Sequence, residues 1–334
     1  AEGSPVTNLF MNLKYLIARD NIYMNTYDLT EVYGVGNVKL LQNNHYLPMG
    51  FMTNSALASW QVDENEDQFN PFDKQNEFFK LATGIKNDVY TPLDVVSQGH
   101  TDYNQFPVNK TGYGRYSFSC TDTTVTPHVK WNYEAPKDGL YLMYADISGG
   151  DDVTVMINDV AQSKTYGMGR SYIACIGQCK KGDKISVYSN LQQGQSGSAM
   201  VFVDVLNQDV FEEGYNKLSK SVMTTTKLTG SSMEGTINAQ ENGLFYTSVP
   251  YEEGWKAYVD GKEVKITPVG NALVAFNLAK GEHTIKLEYY PKGFAIGLTV
   301  TIICAATFAF LCVWTYIIKK RRKKKGDISE NPEE

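Results

Sequence analysis

The sequence predicts a mainly β protein: a small α/β lead-in, two tandem β-sandwich (jelly-roll-like) domains and one transmembrane helix. Short alternating runs broken by Gly, Asn, Asp and Ser fill residues 98–209 and return over 226–290. This alternation is typical of strands with one buried face. Residues 293–318 are 26 consecutive positions without a charge. The predicted divisions are 1–97 (lead-in), 98–209 (first sandwich), 210–225 (helical linker), 226–290 (second sandwich), 293–318 (membrane helix) and 319–334 (cytoplasmic basic tail).

The lead-in predicts two strands and one helix. Strand-like runs occupy residues 12–17 and 37–42. Residues 63–84 are typical of a loop followed by a helix, with Asn70 or Asp73 as its N-cap and Gly84 at its end.

The two β regions repeat one pattern. Asp138-Gly139-Leu140-Tyr141 matches residues 242–245, residues 155–160 match 257–262, and residues 172–185 match 273–285. The offset drifts only from 104 to 99 residues. Two copies at nearly constant spacing predict a domain duplication rather than a solenoid.

The uncharged segment 293–318 predicts a membrane span. As a helix it would be about 39 Å long, against a hydrocarbon core of about 30 Å. Trp314 and Tyr316 lie near its end, and seven cations, KKRRKKK, follow at 319–325. A buried core helix would rarely be this long or end in such a run. The positive-inside rule therefore predicts a cytoplasmic C-terminus and an extracytoplasmic location for residues 1–292.

The distribution of charge argues against one class of protein. The net charge is −6 overall, but residues 1–318 contain 24 basic and 33 acidic residues. An acidic body argues against nucleic-acid binding.

The first residues, AEGSP, include no basic or apolar leader. Two alternatives stay open: a cleaved signal peptide, or the C-terminal piece of a longer membrane protein. A cell-wall sorting signal is disfavoured because no LPxTG-like motif precedes the apolar run.

Four segments resemble one family in its own order. Residues 249–262, VPYEEGWKAYVDGK, resemble the "PYdxGWxvxvDGk" segment of bacterial YfhO-like membrane proteins. Residues 280–293 resemble that family's lead into its last membrane helix, residues 13–17 resemble its "N-V-K-Y" strand, and residues 70–84 resemble its "Q-N-x-L…TG" helix. Any one of these segments alone would be weak, but together they span most of the chain.

The resemblance implies a function larger than this chain. It implies a multi-pass, GT-C-type glycosyltransferase that decorates cell-envelope glycopolymers, such as lipoteichoic acid, from a polyprenyl-phosphate sugar. The family's presumed catalytic acid lies in an N-terminal membrane half, so no catalytic residue is assigned here and activity of this chain alone stays open. The sandwiches would bind or position glycan. The alternative is a non-catalytic, single-pass glycan-binding or adhesion protein.

Aromatic residues on the sandwiches are the candidates for glycan contact, because a flat ring packs on the apolar face of a sugar. Trp131 is the candidate exposed platform, and the 164–170 loop offers the Tyr166 ring and the Arg170 donor. The loop is equally an ordinary hairpin tip, and alternation places about half of a strand's aromatics in the core. Trp255 is interpreted as a core or inter-domain anchor.

Other chemistry-bearing residues have simpler interpretations. The scattered histidines, His45, His100, His128 and His283, predict structural or surface roles. Cys120, Cys175 and Cys179 predict small buried side chains with at most one disulfide. Asp151-Asp152 predict a solvated turn rather than a calcium site, and the acidic 63–67 loop and the 109–111 sequon predict no site. No metal or cofactor is predicted. Cell-envelope glycan or glycolipid and membrane lipid are the expected partners, and protein partners stay open.

Overall fold

The computed structural model of the chain describes residues 3–19, 27–62, 69–99, 106–120, 123–124, 127–166 and 172–326. Strands are the main regular structure, arranged in several antiparallel sheets, and one long apolar helix follows the last strand. The mainly β prediction is confirmed.

The lead-in combines two helices with a small sheet. Its elements are α1 (Pro5–Phe10), β1 (Tyr15–Arg19), β2 (Leu29–Val35), β3 (Val38–Asn43), β4 (Phe51–Thr53), a 3₁₀ turn (Ser55–Ser59) and α2 (Pro71–Thr83). Strands β1, β3 and β2 pair in that order. The predicted helix is α2. The Asn70 side chain caps it by accepting a 3.0 Å hydrogen bond from Phe72 N, and Gly84 ends it at φ 71°.

The first sandwich has two sheets. Its strands are β5 (Tyr90–Pro92), β6 (Ser97–Gly99), β7 (Val108–Gly112), β8 (Arg115–Ser119), β9 (His128–Glu134), β10 (Gly139–Ile147), β11 (Gly150–Ile157), β12 (Val160–Tyr166), β13 (Ala174–Cys179), β14 (Lys184–Leu191) and β15 (Ser196–Leu206). One sheet has the order β13-β10-β15-β8-β7, with β5 also on β15, and the other has β12-β11-β14-β9-β6. Their facing side chains form one core that includes Val129, Tyr133, Tyr141, Val187 and Val203.

The second sandwich follows helix α3 (Gln208–Leu218). Its strands are β16 (Thr224–Leu228), β17 (Ser232–Ala239), β18 (Gly243–Pro250), β19 (Trp255–Val259), β20 (Lys262–Val264), β21 (Leu273–Leu278) and β22 (Gly281–Tyr289). One sheet has the order β16-β17-β22-β19-β20, and the other has β21-β18-β4. Strand β4 of the lead-in thus completes this sandwich, with Phe51 opposite Tyr246.

The two sandwiches share strand order and turn chemistry. Sheet β12-β11-β14-β9-β6 corresponds strand for strand to β20-β19-β22-β17-β16. Asn158 and Asp260 both have φ 52°, and each side-chain oxygen accepts a 2.9 Å hydrogen bond, from the backbone N of Lys184 and of Thr284 respectively. This agreement supports the duplication predicted from sequence.

A separate hydrophobic core joins the lead-in to both sandwiches. Phe10 of α1 contacts Tyr246 of β18 with ring centroids 5.6 Å apart, and Phe79 of α2 stacks on Phe211 of α3 at 6.1 Å. The outer face of the first sandwich contributes further apolar side chains to the same cluster. The three parts therefore pack together, and the domain divisions given above stay predictions.

The final helix, α4 (Phe294–Gly326), begins five residues after β22 ends. Within the described part of the chain, one helix, Phe294–Arg322, is long and apolar enough to cross a membrane, and its apolar stretch is not buried by the rest of the protein. The helix continues beyond residue 318 into the cationic run. Positive side chains near a helix C-terminus are favoured by the helix dipole.

Candidate functional site

Trp131 lies inside the first sandwich. Its side chain is 0% exposed, and its ring packs 5.3 Å from that of Tyr116 between the two sheets. The exposed position predicted for Trp131 is therefore wrong. In β9, Val129, Trp131 and Tyr133 share the inward face, while Lys130 and Asn132 alternate with them. A ring in this position packs the core and cannot stack on a sugar.

The second predicted glycan contact divides in two. Tyr166 is buried at 6% exposure, and its hydroxyl donates a 2.7 Å hydrogen bond to the carbonyl of Cys175. Its ring is thus part of the wall of the sandwich rather than a surface platform. Arg170 lies outside the described residues, and its role stays a prediction.

The histidines in the described residues have structural or surface contacts. His128 is buried beside Tyr188. His283 Nδ1 lies 2.8 Å from Oδ2 of Asp260, which is in the β19–β20 hairpin. His45 bridges two carboxylates, as described below. His100 lies outside the described residues, as do Asp63, Glu64, Glu66 and Asp67.

The cysteine and aspartate predictions have different outcomes. Cys120, Cys175 and Cys179 are buried, as predicted, and burial raises the pKa of the Cys179 thiol to about 12. Asp151 and Asp152 lie in β11 rather than in the predicted turn, which is formed by Ser148 and Gly149. Among the described residues, no cluster of three or more His, Cys, Asp or Glu side chains could hold a metal ion.

An open polar cleft of about 690 Å³ lies where the segment after α2, the first sandwich and the start of α3 meet. Three short segments, 86–91, 137–140 and 206–210, form most of it, and Tyr27 of the lead-in completes it. The polar side chains of its lining are Tyr27, Lys86, Asn87, Asp88, Thr91, Lys137, Asp138, Asn207, Gln208 and Asp209. Amide, carboxylate, hydroxyl and ammonium groups therefore converge on one concave surface. This set of donors and acceptors is suited to a ligand rich in hydroxyl groups.

Asn207 connects the three sides of the cleft. Its amide nitrogen donates 2.7 Å hydrogen bonds to Asp88 O and Thr91 Oγ1, and its amide oxygen accepts a 2.8 Å bond from Lys137 Nζ. The cleft is therefore held in shape before any ligand binds. Such preorganisation reduces the ordering cost of binding.

A histidine clamp lies next to Tyr27, a residue of the cleft lining. His45 Nε2 lies 2.9 Å from Glu212 Oε2 on α3, and His45 Nδ1 lies 2.9 Å from Asp28 Oδ2, although its ring geometry does not give the second contact hydrogen-bond alignment. The Tyr27 hydroxyl donates a 2.6 Å hydrogen bond to Glu212 Oε1, and its ring stacks on His45 at 5.2 Å. These contacts fasten the lead-in to α3.

The electrostatics of the clamp favour a fixed charge at Glu212. Partial burial alone would raise the pKa of Glu212, but the hydrogen bonds from Tyr27 and His45 outweigh it and lower that pKa. Burial, followed by the hydrogen bond to Glu212, raises the pKa of Tyr27, so its phenol keeps its proton and remains a donor. The clamp therefore has a structural role.

Asp204 is a buried carboxyl outside the cleft. Its residue is 1% exposed, Oδ1 has no hydrogen-bond partner, and burial raises its pKa well above the ordinary value. A raised pKa is a property of catalytic acids. A substrate could not reach a side chain enclosed in this way, so the structure gives Asp204 no catalytic role.

Sequence reasoning did not identify the cleft. Its polar runs, Lys86-Asn87-Asp88 and Asn207-Gln208-Asp209, lie at the ends of helices and strands, where such residues are also typical of ordinary turns. The only available signal was that both runs flank elements rich in apolar residues.

Comparison with known proteins decides the family. Residues 1–301 match the profile of the family described as "Bacterial membrane protein YfhO". The chain belongs to this family. The prediction from the four sequence segments is confirmed, and the match agrees with the apolar helix α4 in indicating a membrane-associated protein.

One curated relative is the "Uncharacterized protein YfhO" of Bacillus subtilis (strain 168), which is 29% identical over 136 residues. The alignment covers 37% of this YfhO-family chain and 14% of that protein. The activity of a whole family member can therefore be assigned to this chain only as a proposal.

Solved structures resemble parts of the chain distantly. One is a cycloisomaltooligosaccharide glucanotransferase from Paenibacillus sp. complexed with cycloisomaltoheptaose, at TM-score 0.23 and 9% identity, covering 59% of this chain and 45% of that chain. Another is a beta-galacturonidase from Eisenbergiella tayi bound to galacturonate, at TM-score 0.22 and 9% identity, covering 60% and 37%. Both scores are too low to bear on the function of this YfhO-family chain.

Proposed function

We propose that the chain is the extracytoplasmic C-terminal region of a membrane glycosyltransferase-like protein that decorates cell-envelope glycopolymers of the lipoteichoic-acid type from a polyprenyl-phosphate sugar. The observation that supports this most is the membership of a bacterial membrane-protein family combined with an apolar helix that follows directly on the second sandwich. In this proposal the β domains hold glycan next to the membrane, and the chemistry belongs to a membrane-embedded part elsewhere in the protein.

The polar cleft is the proposed glycan site. It replaces Trp131 and Tyr166, whose rings are buried. Sugar hydroxyls pair with adjacent donors and acceptors, and the cleft presents the Lys137 ammonium and the Asn207 amide 2.8 Å apart beside the Asp138 carboxylate. A hydrogen bond from a charged group contributes about 1.5–3 kcal/mol when its loss leaves a partner unpaired.

The binding test compares three forms of the full chain in detergent. Lipoteichoic acid and its glycosylated form are titrated into wild type, Lys137→Ala and Lys110→Ala. We expect Lys137→Ala to weaken binding by about tenfold or more, which corresponds to the loss of one charge-assisted bond. Lys110 is exposed on β7 outside the cleft lining, so Lys110→Ala should bind like wild type. Wild-type affinity in Lys137→Ala would contradict the assignment of the cleft.

The proposed topology has a separate test. The variants Lys265→Cys, on an exposed loop of the second sandwich, and Lys323→Cys, in the cationic run, report the two sides of the membrane. In intact cells we expect a membrane-impermeant maleimide to label Lys265→Cys but not Lys323→Cys. After permeabilisation we expect it to label Lys323→Cys as well. The wild-type background should be low because the cysteines outside α4 are buried. Labelling of Lys323→Cys in intact cells would reverse the orientation.

A further inference from the structure

The second sandwich has one end where three features meet the start of the apolar helix. They are the β16–β17 hairpin tip (residues 228–231), the 252–254 loop and the segment 289–292; together we call them the basal edge. We propose that the basal edge lies against the phospholipid headgroup layer, so that the second sandwich stands directly on the bilayer. This rests on α4 lying in the membrane, as in the proposed function.

Backbone hydrogen bonds place the three features together. Tyr289 N donates to Ser231 O at 2.8 Å, and Tyr290 N donates to Gly254 O at 2.9 Å. The strand register agrees, since Ser232 lies opposite Glu288 and Trp255 opposite Tyr289. The hairpin tip and the 252–254 loop therefore flank the residues through which the chain leaves the sandwich.

The helix is too close for the basal edge to be far from lipid. Phe294 begins α4 four residues after Tyr290, so the two Cα atoms can be at most about 14 Å apart. The apolar part of α4, residues 294–318, is about 37 Å long and exceeds a hydrocarbon core of about 30 Å. Its first turn therefore reaches the headgroup layer unless the helix tilts strongly.

Contacts of the residues that lead into α4 restrict how far the sandwich can move relative to the helix. The rings of Trp255 and Tyr289 lie 5.2 Å apart, the Tyr289 hydroxyl donates to Glu252, and Lys292 pairs with Glu253. Gly254 permits this approach, because a Cβ there would lie 2.5 Å from Tyr290 O. The chain is thus held against the edge almost to the first residue of α4.

The chemistry of the basal edge suits a headgroup layer. Leu228 is 59% exposed and Tyr290 is 55% exposed, and amphipathic rings such as Tyr favour this interface. The glutamates of the edge, Glu252 and Glu253, are engaged as described above. The neighbouring glutamates are engaged too: Glu234 with Lys227 and Lys286, and Glu288 with Lys286 and the Tyr290 hydroxyl. Their charges therefore oppose lipid contact only weakly.

The opposite end of the same sheet supplies a matched control. The β19–β20 turn at Asp260 and Gly261 lies beside Thr284, since Asp260 N donates to Thr284 O at 2.9 Å. Thr284 precedes Tyr289 by five strand residues, or about 16 Å. This far turn is also an exposed hairpin tip, but it lies on the side away from the membrane.

The test uses the full chain in nanodiscs of phosphatidylcholine and phosphatidylglycerol with a trace of phospholipid that carries a photoreactive headgroup. After illumination, crosslinked peptides are mapped by mass spectrometry. We expect crosslinks in residues 224–232 and 288–294 severalfold above those in residues 258–264, together with crosslinks in α4. Leu228→Asp, a change at an exposed position, should reduce the hairpin crosslinks severalfold while those in α4 persist.

Two outcomes would contradict the inference. Crosslinks in α4 with a hairpin signal no higher than that of residues 258–264 would overturn the headgroup contact and leave the membrane placement intact. The absence of crosslinks from α4 as well would overturn both this inference and the membrane placement in the proposed function.

Discussion

Replacing Trp131 with alanine is expected to lower the free energy of unfolding by about 3–5 kcal/mol, the usual cost of deleting a large buried aromatic side chain. The ring has no exposed surface, packs beside Tyr116 and lies between the two sheets of the first sandwich. The cavity left by alanine would be lined by stiff β-strand side chains that cannot close over it. Urea unfolding of the full chain in detergent, followed by near-ultraviolet circular dichroism, measures the loss.

Trp131→Phe is the graded control. The indole Nε1 of Trp131 is buried and has no hydrogen-bond partner, so phenylalanine removes a polar atom that gains nothing in the core. The lost volume is smaller, and we expect the free energy of unfolding to fall by less than about 1.5 kcal/mol. If Trp131→Ala kept wild-type stability and lost only glycan binding, the surface-platform hypothesis would be right and the packing described here wrong.

The duplication predicted from sequence rests on local signals. Asp138 and Asn242 both accept a hydrogen bond from the backbone of the later turn, at Lys181 and Lys280 respectively. Asn158 and Asp260 both occupy left-handed hairpin positions. Turn chemistry of this kind depends on a few neighbouring residues. It therefore survives in the letters of the sequence even where strand partners are far apart.

The prediction for Trp131 was wrong about which face of β9 the residue occupies. In β9 the apolar residues Val129, Trp131 and Tyr133 alternate with Lys130 and Asn132. Once one of the three faces the core, period-two geometry places the others there too. The alternation is visible in the sequence, whereas the suitability of an aromatic ring for sugar contact does not specify which face of a strand the ring occupies.

No local signal in the sequence specifies the cleft or the position of β4. The cleft joins segments near residues 88, 138 and 207, and β4 near residue 52 pairs with β18 near residue 245. Contacts at such separations depend on how whole elements pack, which composition and periodicity do not specify. The clamp formed by His45 and Glu212 has the same property, since His45 follows β3 and Glu212 lies far along the chain on α3.

Replacing Asn76 of α2 with alanine is the second substitution with a large expected effect on stability. The Asn76 side chain bonds to the backbone of Tyr90 as a neighbouring strand would. Its Nδ2 donates to Tyr90 O at 3.0 Å, and its Oδ1 accepts from Tyr90 N at 2.8 Å. Both residues are buried, at 5% and 0% exposure. Asn76→Ala would leave a backbone donor and a backbone acceptor unpaired, at about 1–3 kcal/mol each, so we expect the free energy of unfolding to fall by about 2–6 kcal/mol.

The Asn76 pair also positions the cleft. Asp88 and Thr91, which lie on either side of Tyr90 in the chain, both accept hydrogen bonds from Asn207. We therefore expect Asn76→Ala to weaken glycan binding even under conditions in which the chain remains folded, whereas Glu77→Ala on the exposed side of α2 should change stability by less than about 0.5 kcal/mol. Urea unfolding and glycan titration of the same preparations separate the two effects. Unchanged stability in Asn76→Ala would mean that solvent or another donor satisfies Tyr90. Lost stability with unchanged binding would mean that the cleft does not depend on this pair, and the assignment of Asn76 as its positioning residue would fail.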